Sequence, residues 1–83
     1  MTHAAAGREL YTRYLRKEGR SVAVLRLVDF GDSCVVEAEA FPQSGGMPSR
    51  PGPYTFADQL QATAFVTDAV EALMYLGCEV SAE

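Results

Sequence analysis

A chain of 83 residues is shorter than most protein domains, so it has room for one hydrophobic core and not for two. Hydrophobic residues make up 48% of the sequence and charged residues 22%, which excludes a disordered chain, and no run approaches the ~18 apolar residues of a membrane-spanning helix. The net charge is −4 and the first residues lack a signal-peptide pattern, so we expect a cytoplasmic protein without a membrane partner.

The first half of the chain has the composition of a β-sheet. We expect residues 1–8 to be a flexible N-terminus and residues 9–41 to form a three-stranded antiparallel meander, because β-branched and aromatic residues are frequent there. Glu18-Gly19 and Gly31-Asp32 are typical of two-residue hairpin turns and divide this segment into three strands.

Residues 10–15 also fit a helix, because their leucines and tyrosines share one helical stripe. We favour a strand, since a turn follows directly and two strands alone would make a poor sheet.

Two-residue turns would set the pairing of the strands. For any two residues that pair across a hairpin, the two sequence numbers should add up to 37 in the first hairpin and to 63 in the second. One sheet face is then almost wholly apolar and is the expected core face: Leu10, Thr12, Tyr14, Ala23, Leu25, Leu27, Cys34, Val36, Ala38 and Ala40. The opposite face mixes apolar and charged residues: Tyr11, Arg13, Leu15, Val22, Val24, Arg26, Val28, Val35, Glu37, Glu39 and Phe41.

The second half of the chain predicts one helix. Residues 42–53 hold all four prolines and form a crossover loop, after which residues 54–56 are a possible short fourth strand. Residues 56–76 form an amphipathic helix with Thr55 as its N-cap, in a capping box with Asp58, and with Gly77 as its left-handed C-cap. Residues 77–83 are a C-terminal tail. The stripe that should cover the apolar sheet face is Ala62, Phe65, Val66, Ala69, Val70, Leu73 and Leu76.

The residues that usually carry catalysis or bind metals are scarce. His3 is the only histidine, and Cys34 and Cys78 lack the C-x-x-C spacing of a redox or zinc site. No phosphate-binding or dinucleotide motif is present. We therefore expect no enzymatic activity, no cofactor and no metal.

Charge is distributed unevenly along the chain. Residues 1–26 hold six of the seven basic groups and only two acids, whereas the remainder holds Arg50 and nine acids. A single-stranded nucleic-acid-binding module is thus an alternative function, with one aromatic ring for stacking and four arginines for phosphates: Tyr11, Arg13, Arg16, Arg20 and Arg26. The acidic balance of the whole chain argues against it.

Unhidden apolar surface favours a protein-interaction or assembly domain instead. The core of so small a chain is thin, and a partner subunit would supply the missing buried area. We expect a homodimer or another homo-oligomer, with a different protein as a possible further partner. The predicted subunit contact consists of Val22, Val24, Val28, Val35, Phe41, Met74 and Tyr75.

Overall fold

A computed structural model describes residues 7–82 and confirms the α+β class, with an antiparallel sheet and one helix near the C-terminus. The sheet has five strands instead of three or four, in the order β4-β3-β2-β1-β5. The elements in chain order are β1 (Arg8–Lys17), β2 (Arg20–Asp29), β3 (Cys34–Ala40), β4 (Tyr54–Phe56), α1 (Gln59–Tyr75) and β5 (Glu79–Ser81). The helical alternative for residues 10–15 is wrong, and the expected C-terminal tail contains the additional strand β5.

The second hairpin, β2–β3, is regular. Its pairing runs without interruption from Asp29↔Cys34 to Ala23↔Ala40, so the predicted sum of 63 is confirmed. Gly31 has a φ of 94°, as the turn requires, and its N–H donates to Asp29 Oδ1 at 2.9 Å. Leu25 and Leu27 therefore lie on the predicted core face.

The first hairpin, β1–β2, contains two β-bulges. Next to the turn, Lys17 pairs with Arg20 as predicted, but Leu15 pairs with Ala23, so the sum changes from 37 to 38. Val22 is the extra residue at this bulge, and Leu10 is the extra residue at a second bulge, beyond which the sum returns to 37. A shift of one residue exchanges the two faces of a strand.

The predicted faces of β1 are therefore wrong between the bulges. Leu15 is fully buried below the helix, on the same side as Tyr11 and Arg13, which were expected on the other face. Thr12 and Tyr14 lie on the face opposite the helix. Leu10 still packs against the core, because it is the extra residue of a bulge.

The core lies between α1 and one face of the sheet. Its fully buried large side chains are Leu15, Leu27 and Val36, one from each of three neighbouring strands. Ala62 and Val66 are the buried residues of the helix. The ring of Phe65 packs against Tyr54 and Phe56 of β4, with centroids 4.8 and 5.3 Å away and both ring pairs tilted by 41°. The small Ala62 lets the helix approach the sheet closely.

The predictions for the two ends of α1 differ in how well they agree with the structure. The N-cap is Asp58, whose Oδ1 accepts the N–H of Gln61 at 2.9 Å, whereas the predicted cap Thr55 pairs with Val35 in the sheet. At the other end the predicted left-handed conformation of Gly77 is confirmed, with a φ of 100°, but the C-cap residue itself is Leu76, one position earlier. The N–H of Gly77 donates to the carbonyl of Met74 at 2.9 Å. The helix is thus shorter than the predicted residues 56–76.

The crossover loop, residues 42–53, lies along the edge of β3. Ser49 and Ala40 exchange two backbone hydrogen bonds of 2.8 and 2.9 Å, and Arg50 lies 3.8 Å from Glu39. Within residues 7–82, no helix is both long and apolar enough to cross a membrane.

Candidate functional site

A groove of about 370 Å³ lies between β1 and α1 on the helix side of the sheet. Among its apolar lining residues Val66 is buried and Val70 is half-buried, whereas Met74 and Val80 are exposed. The lining residues are Tyr11, Arg13, Thr63, Val66, Thr67, Val70, Glu71, Met74 and Val80. The groove exists because α1 packs mainly over β2, β3 and β4, while β1 continues past the side of the helix.

Tyr11 and Arg13 form the strand wall of this groove. The Tyr11 hydroxyl donates to Thr63 Oγ1 at 3.0 Å, which ties β1 to the helix. The guanidinium carbon of Arg13 lies 4.3 Å from the centroid of the Tyr11 ring, a cation–π contact. Both side chains point to the helix because of the bulge at Val22.

One edge of β1 is open beside the groove. β5 pairs with β1 only from Tyr14 to Arg16, and the other edge of β1 is occupied by β2. Ala82 follows β5 but is no longer part of a strand. Within residues 7–82, no strand pairs with this edge of β1 from Leu10 to Arg13.

The sheet face opposite the helix carries a chain of charged groups. Arg26 lies between Glu9 and Glu37, at 3.7 and 3.6 Å, and Thr12 Oγ1 donates to Glu9 at 2.6 Å. The three charged side chains are about half exposed, so these ion pairs stabilise the fold only slightly. On this face the crossover loop borders a cleft of about 290 Å³ beside Arg26, and the chain at Gly7 lies against Val28.

The residues predicted as a subunit contact do not form one surface. Val24 and Val35 are half-buried on the sheet face opposite the helix, which we call the open face. Val28 is only 7% exposed because the chain at Gly7 passes over it. The approach is so close that a Cβ at Gly7 would overlap Val28. Val22 packs against the core from its bulge, and Phe41 is half-buried beside it. Met74 and Tyr75 are exposed, but they belong to the helix on the other side of the sheet.

The residues of the predicted nucleic-acid platform are also separated. Tyr11 and Arg13 line the groove, and Arg26 lies on the opposite face between two glutamates. Arg16 and Arg20 are exposed near the tip of the first hairpin. No single face presents these five residues together.

The last turn of α1 has an exposed apolar surface, of which the sequence predicted only Met74 and Tyr75. Met74, Tyr75 and Leu76 are 49%, 93% and 64% exposed, and Val80 of β5 is 37% exposed. Leu76 was expected in the buried stripe, but the chain leaves the helix at this residue. We call these four residues the apolar turn.

The chemistry of the cysteines is that of structural thiols. Cys34 is 3% exposed and Cys78 is 7% exposed, and neither forms a disulfide. Burial raises the pKa of the Cys34 thiol, and the carboxylate of Asp29, with Oδ1 3.9 Å from Cys34 Sγ, acts in the same direction. A raised pKa lowers the nucleophilicity of Cys34 at neutral pH, because the thiolate is the reactive form.

Within residues 7–82, no group of three or more His, Cys, Asp or Glu side chains is placed to hold a metal ion. His3 lies outside the described residues.

No family model, no curated protein and no solved structure matches this chain.

Proposed function

We propose that this protein is a non-enzymatic interaction module that acts as a homodimer through its apolar turn. The observation that carries this proposal is the exposure of three consecutive large apolar residues, Met74, Tyr75 and Leu76, at the end of α1.

Successive residues of a helix point about 100° apart, so these three side chains surround the helix end on several sides. A helical segment that is apolar all round is normally covered by other parts of a protein. Tyr75 is 93% exposed, and tyrosine is one of the residue types enriched at the centre of protein interfaces. The apolar turn thus has the composition of a subunit contact.

A second copy of the chain is the partner that we propose. The Cα radius of gyration is 13.8 Å, larger than the roughly 12 Å of a compact domain of this length, and the core is correspondingly thin. Two copies related by a two-fold axis would bury the same patch on both subunits, and this is the commonest closed assembly. The two free cysteines suit the reducing cytoplasm, which we propose as its location.

Light scattering after size exclusion tests this proposal. At micromolar concentrations the parent chain should have twice its mass of 9.0 kDa, and Tyr75→Glu should have 9.0 kDa, because a buried unpaired carboxylate disfavours the contact. Leu60→Glu is the matched control. Leu60 is 79% exposed in the first turn of the same helix, and its replacement should leave the dimer intact.

A parent chain of 9.0 kDa at every concentration up to about 0.5 mM would contradict the dimer, since stable interfaces are much tighter than this. Val24→Glu, on the open sheet face, separates the two predicted contact regions. If this variant and not Tyr75→Glu were monomeric, the open face would be the subunit contact.

A further inference from the structure

We propose that the open edge of β1 from Leu10 to Arg13 and the adjacent groove bind an extended peptide of a partner protein. The peptide adds to the sheet in line with β5, places an apolar side chain in the groove and presents a carboxylate to Arg13. This function goes beyond self-association.

The first support is the backbone of β1. Its outer edge pairs with β5 over only three residues, Tyr14 to Arg16, and β5 ends just where the groove opens. Backbone N–H and C=O groups at an open edge are a template for another strand. The bulge at Leu10 limits this template, so regular pairing can extend only across Tyr11, Thr12 and Arg13.

The second support is the shape and polarity of the groove. A strand in line with β5 would carry alternate side chains to the helix side of the sheet. There they would meet Val66, which is 3% exposed, and the half-buried Val70. A volume of about 370 Å³ is within the range of small binding sites and accepts a branched aliphatic side chain.

The third support is Arg13, whose positive charge favours a peptide that carries a carboxylate. It is half-buried, its guanidinium lies on the Tyr11 ring, and one of its donors is used on the carbonyl of Thr12 at 3.0 Å. A guanidinium has five N–H donors, and within residues 7–82 no carboxylate lies within ion-pair distance of Arg13. A peptide carboxylate opposite Arg13 would use the remaining donors.

The same charges argue against a second copy of β1 as the occupant. Over the three residues that can pair regularly, a second copy of β1 would bring Tyr11, Thr12 and another Arg13 to this edge. It would therefore add a positive charge and offer no carboxylate to Arg13. An acidic partner segment supplies the opposite charge.

The probe that tests this inference is the peptide acetyl-Glu-Thr-Val-Thr-amide, whose first residue is set opposite Arg13 because Ser81 already pairs with Tyr14. In an extended strand its Glu and Val lie on one face, so that antiparallel pairing sets Glu opposite Arg13 and Val opposite Tyr11. In ¹⁵N–¹H NMR titrations we expect saturable shifts of the amides of residues 10–13 and 66–70. A peptide with Lys in place of Glu should bind at least tenfold more weakly, and a peptide N-methylated on its pairing edge should not bind.

Variants of the chain complete the experiment. Arg13→Glu should weaken binding at least tenfold, whereas Arg20→Glu, the same charge change at the exposed hairpin tip, should leave it unchanged. Glu71→Lys, on the exposed helix wall of the groove, should strengthen binding severalfold and provides a test if Arg13→Glu fails to fold.

The groove shares Met74 and Val80 with the apolar turn, so the titration is also performed on Tyr75→Glu. If Tyr75→Glu binds the peptide, the peptide site is supported whether or not this variant forms a dimer, so the two proposals are tested separately. The peptide site is wrong if millimolar peptide causes no shifts at residues 10–13, if the Lys peptide binds equally well, or if N-methylation has no effect.

Discussion

The two hairpins of this sheet differ in how strictly their turns determine their faces. In β2–β3 the pairing set by the turn at Gly31 continues without a bulge to Ala40 at the end of β3. In β1–β2 the pairing set by the turn at Gly19 lasts for only two residue pairs before Val22 is inserted. A turn therefore fixes the register only as far as the first bulge, and beyond it the burial of side chains such as Leu15 decides which face points inward.

The largest expected difference between the two hairpins is in how much the deletion of a single residue destabilises the fold. Deleting the exposed Glu37 from the regular hairpin forces one part of β3 to exchange its faces, and we expect loss of the folded state. Deleting Val22 makes Ser21 and Ala23 neighbours, so both retain their partners on β1. The cost should be about 1–2 kcal/mol for one half-buried valine.

Urea unfolding followed by circular dichroism measures both deletions. If removal of Val22 unfolded the chain while removal of Glu37 was tolerated, the bulge would lie in the other hairpin.

Substitutions on β1 test the exchanged faces directly. Leu15→Ala leaves a cavity at a fully buried site and should cost about 2–5 kcal/mol. Tyr14→Ala, on the face away from the helix, should cost about 1 kcal/mol. A larger loss of unfolding free energy for Tyr14→Ala than for Leu15→Ala would mean that β1 pairs without the bulge.

The turn of the regular hairpin should give the smallest effect. An added Cβ at Gly31 meets no atom within 4 Å, so Gly31→Val should cost about 1–2 kcal/mol through its positive φ alone. Gly31→Asn is the control and should cost less, because asparagine adopts this conformation more readily. Thermal unfolding that is unchanged in Gly31→Val would place the turn at other residues.

Local signals predicted much of this fold. Both turns, the register of β2–β3 and the glycine at the end of α1 each depend on residues within a few positions of the feature itself. β4 and β5 have three residues each, but β5 was not predicted because Glu79–Ser81 lacks the aromatic residues that indicate a strand at Tyr54–Phe56. The N-cap was wrong because Thr55 and Asp58 both have capping side chains, and pairing with β3 occupies Thr55.

The groove could not have been derived from the sequence. It needs Tyr11 and Arg13 on the helix side of β1, and that placement follows from a bulge for which Val22 carries no distinctive signal. Met74 and Tyr75 were identified as exposed from the helical pattern alone. Leu76 was not, because whether it lies in the buried stripe depends on where the helix ends.

The two buried thiols mark opposite ends of the helix. Cys34 lies near the N-cap Asp58, whose charge contributes to the raised pKa of Cys34, and Cys78 follows the C-terminal turn at Gly77. A thiol reagent can reach either one only when the structure around it opens. The labelling rates of Cys34 and Cys78 in the unmodified chain therefore report separately how often each end of α1 lifts from the sheet, without the introduction of any probe.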